Sequence, residues 1–251
     1  MLSSIAFGWR IFRLFCRLLA GLVMSVTSFR RADARGRHFI IRSWSRALLN
    51  IAGIEVRAVG FPSDAERPVT LVANHVSWTD IFALNSQHAC HFIAKAELRS
   101  WPLAGQLLSN VGTIFIDRGD RKETHRLKHV VHDLLQAGET VAVFPEGTTS
   151  DGQDVLKFHA SLLEPVVAAE GEVWVVAIRY FRRAGAADAE ARTTSAAYIG
   201  DMTLLQSLFA IHQEAPVIAE LRFVEAIACA GLTRREVAKR AETAIRAVVQ
   251  S

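Results

Sequence analysis

Cysteine is scarce in this chain: three residues among 251, Cys16, Cys90 and Cys229, scattered and odd in number. They build neither a disulfide framework nor a Cys-x-x-Cys metal pair, and the pattern fits a reducing compartment. Internal repeats and low-complexity tracts are also missing, which sets aside solenoid and compositionally disordered classes. Acidic residues are nearly absent from residues 1–58, where Asp33 and Glu55 face ten arginines. That segment alone carries +8, so a net charge of +4 leaves −4 for the remainder. The N-terminal segment lacks a long apolar run as well. Its longest uncharged stretch, Leu18 to Phe29, has twelve residues, against the roughly 20 needed by a spanning helix.

What the N-terminal segment does hold is arginine interleaved with Trp9, Phe12, Phe15, Leu18, Leu19, Leu22 and Val23. Large apolar side chains beside arginines suit an anionic lipid surface better than nucleic acid. Arg10, Arg13 and Arg17 fall on one helical stripe and leave a broad apolar face. A second amphipathic stretch, Phe39 to Ile51, is placed to pair with the first as a helical hairpin. A cleaved signal peptide is the rival reading, but Arg30 and Arg31 follow Leu18–Ser28 where small neutral residues are wanted. The expectation is a basic amphipathic hairpin over residues 1–53, peripheral or monotopic on the cytoplasmic face of the cell (inner) membrane. No nucleic-acid partner is expected.

Beyond residue 53 the pattern alternates. Strand-like runs occur at Ile54–Val59, Val69–Ala73, His91–Ala94, Thr113–Ile116, Thr140–Phe144, Val173–Ile178 and Val217–Phe223. Helical patterns lie at Asp80–Ser86, Arg121–Ala137, His159–Ala169, Met202–His212 and Thr233–Val249, and Arg182–Thr194 reads as a surface loop. The predicted fold class is α/β, a mixed sheet flanked by helices on both faces, with residues 54–251 as one catalytic domain.

The most informative motif is Asn74-His75-Val76-Ser77-Trp78-Thr79-Asp80. Residues five apart do not share a face of a continuous helix. His75 and Asp80 therefore meet only if the histidine sits on the turn leaving a strand and the acid in the first helical turn after it. Ser77 is an N-cap candidate for that helix, with Asp80 three residues on. A carboxylate holding one imidazole nitrogen leaves the other free to take a proton from a hydroxyl. If the substrate supplies the hydroxyl, no serine or cysteine nucleophile is required.

Three more blocks follow strand-like runs, where α/β folds place ligand sites. Gly112-Thr113-Ile114-Phe115-Ile116-Asp117-Arg118 offers an arginine for a bidentate anion contact. Phe144-Pro145-Glu146-Gly147-Thr148-Thr149-Ser150 sets an acid between turn formers at a strand end. Ala94-Lys95-Ala96-Glu97 supplies a second cation. Each has a bland counterpart: Arg118 paired with Asp117 or Glu123 at the surface, and Pro-Glu-Gly as a turn only.

In this order the four blocks, spanning about Val69 to Ile178, resemble the glycerolipid acyltransferases of the 1-acylglycerol-3-phosphate O-acyltransferase type. The resemblance implies acyl transfer from a thioester, acyl-CoA or acyl carrier protein, to the hydroxyl of a lysophospholipid, most simply giving phosphatidic acid. It casts His75 as general base and Asp80 as its orienting partner. It assigns Arg118 to the acceptor phosphate, Lys95 to a second phosphate contact, and Glu146, Gly147 and Thr148 to the acceptor site. No cofactor and no metal are implied. Such chemistry also needs an oxyanion stabiliser; backbone N–H groups near Ser77 or at Gly147 are the candidates. The chain departs from the family pattern at Thr149, where many members carry arginine, and at Trp174-Val175, where proline is usual. The run Gly147-Thr148-Thr149-Ser150-Asp151-Gly152 is also similar to members that acylate lyso-ornithine lipid, whose head group lacks phosphate.

Other classes fit less of the sequence. His125, His129 and His132 share a helical spacing, but no acid motif beyond Asp133 completes a ligand set. A lipid-binding protein without chemistry would not need the intact His75 and Asp80 pair. A thioesterase, delivering the acyl group to water, has no use for the anion contact at Arg118.

Overall fold

In a computed structural model, residues 2–61, 69–116, 121–169, 171–183 and 190–251 are described. The chain opens with a long helix, α1 (Leu2–Val26), a single turn, α2 (Ser28–Arg31), and α3 (Ala34–Ala52). Asp33 caps α3 by accepting from Gly36 N at 2.8 Å, and Gly53 ends it in the left-handed conformation at φ 89°. The order then runs β1 (Ile54–Val59), β2 (Thr70–Ala73), α4 (Asp80–Gln87), β3 (His91–Lys95), a 3₁₀ turn (Ala96–Ser100), α5 (Ala104–Asn110) and β4 (Ile114–Ile116). It continues through α6 (Arg121–Gln136), β5 (Val141–Val143), a 3₁₀ turn (Ala160–Leu163), α7 (Glu164–Ala168), β6 (Glu172–Arg183) and β7 (Glu190–Arg192). The last elements are α8 (Leu204–Glu214), β8 (Val217–Ala228) and α9 (Arg234–Val249).

The strands form one mixed sheet in the order β1-β8-β6-β2-β5-β3-β4, with β7 beside the end of β6. β2, β5, β3, β4 and β6 run parallel, while β8 runs against β6. Period-two alternation buries both faces. Leu71, Ala73, Trp174, Val176 and Ile178 pack toward α3, α4 and α8 with Leu49, Leu84 and Ile211. Val72, Val173, Val175 and Ala177 pack toward α6, α7 and α9 with Val131, Val166 and Ile245. The α/β expectation therefore holds, with helices on both faces.

Five local expectations change. β6 and β8 each extend to twelve residues, past the apolar runs that mark them, and the added part of β6 begins at an arginine buried by an ion pair. Arg179 and Glu220 are cross-strand partners, with Arg179 Nη2 2.6 Å and Nε 3.1 Å from Glu220 Oε1. The region expected as a loop at 182–194 contains the end of β6 and all of β7. A short helix, α5, stands where none was expected, and residues 159–169 divide into a 3₁₀ turn and α7.

The fifth change concerns the arginine stripe of α1. Two of its three members face α3 rather than water: Arg10 Nη1 donates to Ala52 O at 3.2 Å and Arg17 Nη2 to Ser43 O at 3.5 Å. Trp44 Nε1 donates to Arg17 O at 3.2 Å, and a Cβ at Gly21 would lie 2.6 Å from that indole nitrogen. Glycine is thus required for the helices to approach. The outward face of α1 is apolar instead, exposing Ile5, Trp9, Phe12, Phe15 and Val23. At 25 residues, α1 is about 37 Å long. By length and composition Ser4–Arg31 is sufficient to cross a membrane, although its longest uncharged stretch is short.

Candidate active site

β2 is short and central, and its parallel neighbour β6 outruns it: Ala73 pairs with Val176, leaving Ile178 and Tyr180 beyond the end of β2. The turn leaving β2 is fastened to that overhang. Asn74 Nδ2 donates to Ile178 O at 3.0 Å and Ile178 N to Asn74 Oδ1 at 2.7 Å, so a side-chain amide replaces one further step of sheet. His75 follows with its ring stacked on Phe144, centroids 4.1 Å apart and planes within 9°.

Asp80 begins α4 and is fully buried. Its Oδ2 lies 2.8 Å from His75 Nδ1 and accepts from Val76 N at 2.7 Å and Ser77 N at 2.9 Å. Its Oδ1 accepts from Tyr180 Oη at 2.5 Å. Because an ionised carboxylate only accepts, the proton in the first contact sits on His75 Nδ1 and the lone pair on Nε2. Two backbone N–H groups and a phenol bond the carboxylate besides the imidazole. Burial and the Asp80 charge hold the Tyr180 phenol well above its usual pKa, so it stays a donor.

The expected cap reverses here. Thr79, not Ser77, precedes the helix and makes no side-chain cap; Ser77 Oγ instead accepts from Thr79 N at 3.2 Å. Asp80 reaches back to the N–H groups of Val76 and Ser77, which fixes the turn and the imidazole together. Those two N–H groups are therefore engaged, and Gly147 N donates to Phe144 O at 3.1 Å. Of the oxyanion donors expected near Ser77 and at Gly147, the N–H groups of Val76, Ser77 and Gly147 are already engaged.

The Pro-Glu-Gly block meets this turn from β5. Glu146 is buried, with Oε1 accepting from His75 N at 2.7 Å and Oε2 from Leu156 N at 2.9 Å. Ser150 N donates to His75 O at 2.8 Å. Both backbone groups of His75 are thus held from this block. Burial pushes the Glu146 carboxyl up to about 7 against the opposing pull of those two N–H bonds. Gly147 takes φ 71°, the turn that a Cβ would strain. Thr148 is exposed, and the Thr149 hydroxyl donates to Tyr198 O.

The β3–β4 register sets Lys95 beside Ile116 at the C-terminal end of the parallel strands, the end at which His75 follows β2. The Lys95 side chain and all of Arg118 lie outside the described residues. Asn74, Phe144, Ser150 and Tyr180 were not assigned roles from sequence. A buried tyrosine in an apolar strand does ask for a hydrogen-bond partner, but nothing in the sequence says that the partner is Asp80.

A histidine held on a buried carboxylate at the end of a central strand is able to take a proton from a hydroxyl, and comparison with known proteins gives the family. The family model described as Acyltransferase matches residues 52–180. Lyso-ornithine lipid O-acyltransferase of Pseudomonas aeruginosa is 37% identical over 210 residues, covering 84% of this chain and 78% of that protein. 1-Acyl-sn-glycerol-3-phosphate acyltransferase of Neisseria meningitidis serogroup B is 36% identical over 188 residues, covering 73% and 72%. The crystal structure of the 1-acyl-sn-glycerophosphate acyltransferase of Thermotoga maritima shares the fold, with a TM-score of 0.62, 22% identity and 96% of each chain covered. The chain belongs to the acyltransferase family.

Proposed function

We propose that this acyltransferase moves an acyl group from acyl-CoA or acyl carrier protein to the free hydroxyl of a lysophospholipid. The acceptor is 1-acylglycerol-3-phosphate, giving phosphatidic acid, the substrate printed in the name of the Neisseria relative. The observation that carries the reading is His75 Nδ1 locked on buried Asp80, which directs a basic Nε2 to the open side of the turn. As the acceptor oxygen bonds to the thioester carbon, its proton passes to Nε2 and the carbonyl electrons move onto oxygen. Collapse of the tetrahedral species breaks the carbon–sulfur bond, and the departing thiolate takes the proton back. Glu146, Ser150 and Phe144 act by positioning His75. Arg118 and Lys95 are assigned to the acceptor phosphate, and Gly147 and Thr148 to the wall of its site.

The N-terminal hairpin, residues 1–53, associates with the cytoplasmic face of the inner membrane. Its support is the apolar outward face of α1 between arginine-rich segments. Acyl chain and lysolipid both reside in the bilayer, so a site held at its surface meets them there.

One observation favours a second acceptor. Thr149 occupies the position where many family members carry arginine, and its hydroxyl is bonded to a main-chain carbonyl. A site with one cation fewer fits lyso-ornithine lipid, the substrate in the name of the Pseudomonas relative. Parallel assays with labelled acyl-CoA, lysophosphatidic acid and lyso-ornithine lipid decide between them. Turnover of lysophosphatidic acid is the expected result, and preference for lyso-ornithine lipid replaces the acceptor. Free CoA with neither lipid product contradicts the transferase reading.

A further inference from the structure

We propose that residues 199–209 form a second lipid-contacting patch, continuous with α1, which sets the His75 turn at the bilayer surface. The inference rests on the membrane reading above and adds an element outside the N-terminal hairpin.

Helix α8 has a filled inner side and an apolar outer one. Ser207, Leu208 and Ile211 are buried, while Leu204, Leu205 and Phe209 are 46%, 57% and 46% exposed, and Ile199 just before the helix is 43% exposed. No acidic, lysine or arginine residue occurs between Asp201 and Glu214. An outer helix face is ordinarily charged; this one offers leucine and phenylalanine to whatever lies outside.

The patch does not stand alone. Phe7 of α1 meets Phe209 edge-on, centroids 5.1 Å apart, and lies 5.2 Å from the His212 ring. An aromatic contact therefore joins α1 to α8, with exposed apolar side chains on both helices. Charge favours lipid as the occupant: Arg13, Arg30, Arg31 and Arg35 are exposed along the same N-terminal segment that carries the apolar face of α1, a combination suited to anionic head groups.

The inner side of the patch holds the catalytic turn. Trp78 Nε1 donates to Ser207 Oγ at 3.0 Å, Tyr198 N to Val76 O at 2.9 Å, and Thr149 Oγ1 to Tyr198 O. Two of these links run from residues 198–207 to Val76 and Trp78, just after His75, and the third joins Tyr198 to Thr149 of the Pro-Glu-Gly block. A bilayer resting on α1 and α8 fixes the height of the turn above the lipid, where an acceptor hydroxyl lies beneath the head group.

The test labels single cysteines with a polarity-sensitive fluorophore in the full chain, with the exposed Cys16 changed to serine. The positions are Phe12→Cys on α1, Leu205→Cys on α8 and Lys239→Cys on α9, across the sheet. Vesicles of phosphatidylcholine and phosphatidylglycerol are added. The inference predicts a blue shift at 12 and 205 and none at 239. A shift at 12 without one at 205 overturns it and leaves the membrane reading standing; no shift at any position overturns both. A shift at 205 that follows protein concentration without vesicles assigns the patch to a second copy of the chain and overturns the lipid assignment. In co-sedimentation, Leu205→Asp/Phe209→Asp, checked for native circular dichroism, is expected to bind these vesicles at least about tenfold more weakly, as loss of a buried leucine or phenylalanine implies. Unchanged binding by that folded variant also overturns the inference.

Discussion

Tyr180 donates to Asp80 across 2.5 Å, from a strand one hundred residues further along the chain. The acid that orients His75 is therefore anchored on one oxygen by β6 and on the other by its own turn. Removing the phenol leaves Asp80 Oδ1 buried without that donor. Tyr180→Phe is expected to lower stability by about 2 kcal/mol, the range for hydrogen bonds to charged groups. Its kcat should fall roughly tenfold, equivalent to about 1.4 kcal/mol of barrier, with acceptor KM little changed. Urea unfolding and steady-state kinetics on the same preparation read both quantities, and an unaltered kcat removes Tyr180 from the positioning chain.

Asp80→Asn separates charge from geometry. The asparagine oxygen can take the three donors now on Oδ2 while its amide donates to Tyr180 Oη. The fold should survive, and the imidazolium formed during proton transfer loses its counter-charge. A rate loss on the order of 10²–10⁴ is expected, as for a triad histidine deprived of its carboxylate. Full activity in a folded variant contradicts the role given to Asp80.

Glu146 predicts a pH dependence of stability. Its carboxyl titrates near 7 in the folded protein, above its ordinary 4.5. Between these values the folded state holds the proton and the unfolded state does not, so this contribution falls as pH rises. Across that window it amounts to about 3 kcal/mol. Denaturation from pH 5 to pH 8 should show a steeper decline in the wild type than in Glu146→Gln; parallel curves contradict the assignment.

The buried Arg179–Glu220 pair gives a prediction independent of catalysis. Glu220→Ala leaves the guanidinium in the interior without its carboxylate, although Arg179 Nη1 keeps a bond to Val248 O at 3.0 Å. A loss of roughly 3–5 kcal/mol is expected. A change in urea-unfolding free energy below about 1 kcal/mol shows that the pair contributes little.

Much of this architecture was legible in the sequence because both sheet faces are buried, so β2, β5 and the first half of β6 read as uninterrupted apolar runs. Arg179 and Tyr180 hid the rest of β6, and Glu225 the rest of β8, since charged and phenolic residues resemble strand ends until their partners are known. Helix α5 lacked a cap signal; it follows Leu103, whose φ of 59° is a conformation no sequence rule anticipates. At the site, local spacing disclosed His75 and Asp80, five residues apart. The anchors on Ile178, Tyr180 and Ser150 join residues more than seventy positions apart, a relation that only the sheet order reveals. Sequence placed Ser77 as a cap because serine commonly is one; the buried Asp80 carboxylate bonds the local N–H groups more strongly and takes that place.

The central claim is that His75 Nε2 accepts the acceptor proton during acyl transfer, and single-turnover transfer from labelled acyl-CoA by His75→Ala tests it most directly. With native circular dichroism and unchanged vesicle binding, the variant is expected to lose at least about 10³-fold in transfer rate, within the range for a missing general base. Transfer at the wild-type rate by that folded, membrane-bound variant would contradict the account.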